Sequence, residues 1–413
     1  LRVAFLLQDL QLSGGVGVVV QHAVRLRRHH GIDARIVLTR EETAPPWPHR
    51  GLDELPVLGL QEAERQDWDI ALATWWETTA VLFHLPARRH AWFIQSLEDS
   101  LYKVGDPYRL GAQGATALPV RFITEARWIA DLLEAYQPGN RVLYVRNGID
   151  KEMFRSPEAV TPARDDAPLR VIVEGARGAR TKGVDEALEV IAAMREPAEV
   201  TWVSPRREEP PDGVDHVLSG LSHAEMAKLL SQQHVMLKLS RVEGMYGPPL
   251  EAFHMGATVV TTPVTGHDEY VVHGVNGLIV GWDDVHGTAR ALDLLARDRR
   301  LLHELRVGAL QTARAWPDWD QAARFMALAL RRIAAEPPPP TAPAARRLMS
   351  DLASVIADGQ EVSWRLTTEK KLAGQFRKQK AIRYALAARR QLERVRKARA
   401  TVRAQAKRLL TRR

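Results

Sequence analysis

Two doubly wound α/β domains facing a cleft, followed by a basic helical extension, are what the sequence predicts, and three observations carry the prediction. Short apolar runs alternate with longer helical patterns, as parallel strands covered by helices on both faces do. A strand running into a glycine-containing turn opens the chain and recurs at Leu169. The 413 residues exceed one typical core, and 45% hydrophobic with 26% charged residues is an ordinary soluble composition.

The first unit begins with the strand RVAFLL (Arg2 to Leu7), a tight glycine turn SGGVG (Ser13 to Gly17), the helical pattern VVVQHAVRLRRHH and a second strand ARIVLT (Ala34 to Thr39). DIALAT, AWFIQ, RFITEA and RVLYV continue the alternation, which ends this unit near residue 152. LRVIVEG (Leu169 to Gly175) opens the second unit, followed by a helix from about Val184 to Met194 and the strand EVTWVS. HVLSG, the helix HAEMAKLLSQ, the strand VMLKLS, TVVTT and NGLIV complete it. WPDWDQAARFMALALRRI (Trp316 to Ile333) reads as a helix, EPPPPTAP (Glu336 to Pro343) as an extended linker, and the remainder as largely helical. Ligands of such sheets bind outside the carboxyl ends of the strands, so two similar halves imply a cleft.

Charge divides the chain differently. Of the 58 Lys and Arg, 20 lie in residues 341–413 together with 5 of the 50 Asp and Glu, a net of +15. The body before them carries 38 basic and 45 acidic residues, a net of −7. There is no cysteine, which excludes disulfides, thiol catalysis and Cys-ligated metal. No run of 18 apolar residues occurs and no basic leader precedes the first strand, so a cytoplasmic protein is expected.

The densest signal is RVEGMYGPPLEAFHMGATVV, Arg241 to Val260. Gly244 and Gly247 let the backbone approach a ligand, and Pro248-Pro249 suit the first turn of a helix, where a missing N–H costs nothing. The helix start attracts phosphate, while Glu243 before the loop and Glu251 one turn into the helix can accept from the hydroxyls of a sugar or ribose. In VEGARGARTKGVDEAL, Arg177 and Lys182 lie five apart in the turn after a strand, two cations suited to a diphosphate, with Arg180 able to share the role.

Together these residues resemble the retaining glycosyltransferases of family 4, which have the two-domain glycosyltransferase B (GT-B) fold. The resemblance spans roughly Leu1 to Ile333 and rests on four landmarks in order: Gly14-Gly15, the Asn-Gly-Ile-Asp segment within VRNGIDKEMF (Val145 to Phe154), Arg177 with Lys182, and Glu243 with Glu251. It implies Rossmann-like domains at 1–152 (acceptor) and 153–315 (nucleotide-sugar donor), a helix at 316–335 returning to the first domain, a linker at 336–345 and a basic helical tail at 346–413. Arg177 and Lys182 would bind the donor diphosphate, Glu243 the sugar hydroxyls and Glu251 the ribose, with Arg177, Lys182 and Glu243 as the catalytic set. Gly14, Gly15, Gly244, Met245 and Tyr246 would complete the donor site, with no metal and no cofactor beyond the nucleotide sugar. The loop departs from the usual E-G-F-G-L-P in carrying Tyr246 where a second glycine is common. FIQSLED offers Gln95 and Glu98 on the acceptor side, a pattern similar to bacterial rhamnosyltransferase-like members. The expected activity is retaining transfer of a hexose-type sugar to a glycan or lipid-linked acceptor in bacterial cell-surface polysaccharide synthesis.

Other readings stay open. A dehydrogenase is poorly matched, since SGGVG is not a full dinucleotide fingerprint and no acidic residue ends the second strand. A sugar-nucleotide epimerase shares the fold class, and a non-catalytic subunit acting through its tail is the third reading. The tail carries Leu392, Val395, Val402 and Leu409 at spacings of three and seven among arginines. It suits a membrane surface at the inner face of the plasma membrane or a protein partner; nucleic acid is not expected, because no aromatic interleaving or binding fold accompanies the charge.

Overall fold

The computed structural model describes residues 1–41, 45–164 and 166–337. The basic tail, and the linker beyond Pro337, lie outside the described residues. Two parallel sheets with helices on their faces make up the described chain.

The first half runs β1 (Arg2–Leu7), α1 (Gly14–His30), β2 (Asp33–Leu38), β3 (Val57–Gly59), α2 (Leu60–Ala63), β4 (Trp68–Ala73), β5 (Ala87–Ile94), α3 (Pro107–Ala115), β6 (Arg121–Thr124), α4 (Arg127–Tyr136) and β7 (Leu143–Tyr144). Its strands lie in the order β3-β2-β1-β4-β5-β6-β7. The second half runs β8 (Leu169–Glu174), α5 (Val184–Ala192), β9 (Ala198–Ser204), β10 (His216–Ser219), α6 (His223–Leu230), β11 (Val235–Lys238), α7 (Gly247–His254), β12 (Thr258–Thr261), β13 (Gly277–Ile279), α8 (Val285–Arg297) and α9 (Arg299–Ala315), in the order β10-β9-β8-β11-β12-β13. In each sheet the order reverses between two adjacent strands, β1/β4 and β8/β11. Beyond the carboxyl ends of such strands a crevice opens.

Central strands are apolar because both faces are covered: Val3, Ala4, Phe5 and Leu6 are fully buried, as are Val235 and Leu237. α10 (Trp319–Ala335) leaves the second half and packs on the first, sharing a core with α1 and β1 through Met326, Leu330 and Ile333. The two connections between the halves run side by side. Ile149 donates its N–H to Pro317 O at 3.2 Å, and Trp316 Nε1 donates to Asn147 O at 2.9 Å.

Two local expectations need correction. Gly14 and Gly15 form the first turn of α1 itself rather than a turn before it, with Ser13 extended at the N-cap. The last helix starts at Trp319, because the Asp318 carboxylate accepts from Gln321 N and caps it; Trp316 stays outside as a buried wedge.

Candidate active site

The carboxyl ends of both sheets open onto one cleft of about 840 Å³. On the first-half wall stands the start of α1, with no side chain capping it and no acidic residue in its first turn. Its free N–H groups and helix dipole therefore favour an anion. A Cβ on Gly14 would meet nothing within 4 Å, whereas Gly15 is packed by the Gln95 amide, which donates to Gly15 O at 3.3 Å.

Glu98 also lines this wall, 3% exposed. One carboxyl oxygen accepts the Trp76 N–H, while Oε1 has no partner among the described residues. Burial, with Glu77 nearby, pushes its pKa well above the ordinary carboxylate value. Glu125, at the end of β6, is a second such carboxyl, raised to about 8 mainly by burial. It accepts from Asn147 Nδ2 at 2.6 Å and from Met245 N at 3.2 Å, and so reaches across the cleft to the opposite loop.

On the second-half wall Lys182 Nζ donates to both oxygens of Glu243, at 3.0 and 3.1 Å. The loop bearing Glu243 is fixed by Thr265, whose hydroxyl donates to Glu243 O at 2.7 Å, and by Trp128 Nε1, which donates to Gly244 O at 3.0 Å. Gly244 is required here: a Cβ would lie 1.8 Å from Gln95 O. Gly244 and Met245 line the cleft, and α7 starts immediately after, with prolines in its first turn. Glu251, one turn in, faces the cleft with its pKa pushed up to about 7 by burial first and the nearby Glu174 second.

The structure thus brings together Gly14, Gly15, Gln95, Glu98, Lys182, Glu243, Gly244, Met245 and Glu251, and separates two expected members. Tyr246 is fully buried; its hydroxyl donates to Lys238 O at 2.9 Å and lies 3.0 Å from Thr261 Oγ1. Its side chain is a core residue at the start of α7 and does not line the cleft, because the chain turns inward as the helix begins. Arg177 is turned away from the cleft, its Nε donating to Asp185 at 3.1 Å, where the same carboxylate takes Gly178 N at 2.8 Å. Sequence reasoning missed Glu125, Glu174 and Lys238, all of which line the cleft, and read Asn147, which lines it too, only as part of the Asn-Gly-Ile-Asp landmark. The available signal was a charge at the carboxyl end of a mainly apolar strand, Glu174 in LRVIVE and Lys238 in VMLK.

Residues 169–298 match the family model described as Glycosyl transferases group 1. No curated protein matches the sequence. Among solved structures, the sucrose-phosphate synthase of Thermosynechococcus elongatus superposes with a TM-score of 0.66 at 15% identity, over 80% of this chain and 98% of that one. The Anabaena protein HepE in complex with UDP and glucose gives 0.63 at 16% identity, over 80% and 99%. WaaG, a glycosyltransferase involved in lipopolysaccharide biosynthesis, gives 0.57 at 15%, over 79% and 99%. The fold is that of GT-B glycosyltransferases.

Proposed function

We propose that the chain is a glycosyltransferase that moves a sugar from a nucleoside-diphosphate donor to a glycan or lipid-linked acceptor. The observation that carries this reading is the pairing, across one cleft, of the uncapped start of α1 with Lys182, Glu243 and Glu251. The phosphates suit the helix start and the ammonium, and the hydroxyls of sugar and ribose suit the two carboxylates. HepE has been solved with UDP-glucose, a ligand of this class.

Transfer breaks the bond between the sugar anomeric carbon and the diphosphate oxygen and forms one to an acceptor hydroxyl. In the retaining course we favour, the acceptor approaches on the face that the diphosphate leaves, and its proton passes to the departing phosphate oxygen. Lys182 and the α1 N–H groups stabilise the charge that develops there, which suffices without a metal ion. Gln95 and Glu98, which line the first-half wall, would face the acceptor, with the Glu98 pKa raised by burial. Basic residues 346–413 would bring the enzyme to an anionic membrane where a lipid-linked acceptor resides, and co-sedimentation with phosphatidylglycerol vesicles tests that part.

Calorimetry of the purified chain against UDP-, GDP-, dTDP- and ADP-sugars, dTDP-rhamnose among them, with and without EDTA, is the test. Selective binding that survives EDTA and is lost in Glu251→Ala supports the reading. A folded chain that binds none of them refutes it.

A further inference from the structure

β8 and β11 are the adjacent strands at which the second sheet reverses its order, and each ends in a charged residue, Glu174 and Lys238. Leu237 lies beside Val173 in the register, so the next pair up, at the crevice, is Lys238 and Glu174. The Lys238 side chain is 2% exposed, yet the residue lines the cleft. Its ammonium donates to the Glu174 carboxylate and, at 3.1 Å, to Glu174 O. An ammonium has three N–H groups, and the third has no acceptor among the described residues. A Cβ placed on Gly175 would stand 2.8 Å from Val184 Cγ2, 3.6 Å from Lys182 Cβ and 4.0 Å from Lys238 Nζ, so both lysines flank the same tightly packed glycine turn, which has no room for a side chain.

An ion pair buried for stability alone is replaceable by apolar side chains at little loss, and one with a donor left over is worse still. The position gives the pair another use. We propose that Lys238 is the second cation of the donor-diphosphate subsite, its ammonium binding a phosphoryl oxygen while Glu174 holds it in place. Arg177, paired with Asp185, does not line the cleft. The proposal rests on the nucleotide-sugar reading above. Lys182 held by Glu243 and Lys238 held by Glu174 then form two cation and carboxylate pairs flanking Gly175.

The test is the affinity of UDP, GDP and ADP, each compared with its own nucleoside, for the parent, Lys238→Met, and Lys238→Met combined with Glu174→Gln. The double variant leaves no unpaired charge and guards against misfolding. For the nucleotide that the parent binds, the expected result is a tenfold or greater loss of diphosphate affinity in both variants, with nucleoside affinity unchanged. A structural role would weaken both ligands alike or neither. An unchanged ratio of diphosphate to nucleoside affinity in a folded variant overturns the proposal and leaves the glycosyltransferase reading standing. A parent that binds none of these nucleotides, nor dTDP, overturns both.

Discussion

At the scale of single residues, the cleft holds carboxyls whose protonation differs from that of a surface glutamate. Glu251 titrates near 7, and as a ribose acceptor it works in its ionised form. Donor affinity should therefore rise by roughly tenfold between pH 6 and 8, and Glu251→Gln should abolish the trend; calorimetry at both values checks it. Glu125 reports on stability instead. Its folded pKa of about 8 lies above the ordinary 4.5, so the folded state holds the proton more tightly. Stability is then lost as pH rises from about 4.5 towards 8 and is level above that. Glu125→Gln keeps an acceptor for Met245 N–H and should remove a slope on the order of a few kcal/mol, measured by urea unfolding at pH 5 and 8. Lys182, Glu243 and Glu251 were legible because glycine and proline mark the loops that carry them. Lys238 and Glu174 were not, since they close strands and the sequence reading sought ligands in turns. Tyr246 misled for the converse reason: it sits inside the loop motif, but backbone direction, not position in a motif, decides where a side chain points.

At the scale of elements, strands were the more legible half of the fold. Parallel strands covered on both faces are continuous apolar runs, and Val3 to Leu6 or Val235 to Leu237 leave little choice. β3 has only three residues, between Pro56 and Leu60, too few for a pattern to emerge. Helix starts were less legible, because they depend on which residue caps: Asp318, not Trp316, begins α10. That start is pinned by the neighbouring connection, since a Cβ on Gly148 would stand 2.4 Å from Asp318 C and from Trp319 N. No flexible side chain can yield there. Gly148→Ala should cost about 1–3 kcal/mol by forcing the two connections apart, read as a lower unfolding temperature with unchanged helical content by circular dichroism.

At the scale of the whole described body, the two halves are tied by a charged cluster at their boundary. Glu269, in the turn after β12, has a side chain only 4% exposed although it lies at the boundary between halves. It accepts from Arg127 N at the start of α4 and from Tyr144 OH at 2.6 Å, and Arg146 Nη2 stands 3.6 Å away. Arg146 is itself fixed, 4.4 Å over the Trp316 ring on the return connection. This carboxylate lies in the same contact zone as the Gly244 loop, which meets Gln95, Glu125 and Trp128. Holding the halves together thus also fixes the loop between Glu243 and Glu251. Because Arg146 is partly exposed, removing Glu269 should cost less than the roughly 3–5 kcal/mol of a fully buried pair, still of the order of the few kcal/mol between open and closed forms of a hinged protein. Glu269→Ala should accordingly shift the population to an open form, seen as a larger radius of gyration in X-ray scattering and UDP dissociation at least tenfold faster. Glu269→Gln, which keeps the acceptor for Arg127 N–H and Tyr144 OH but not the charge opposite Arg146, should fall between the two. Scattering and dissociation equal to the parent in Glu269→Ala would mean that the Gly244 loop alone holds the cleft shut, and the damage would then have to come from Gly244→Ala, whose Cβ cannot fit against Gln95 O.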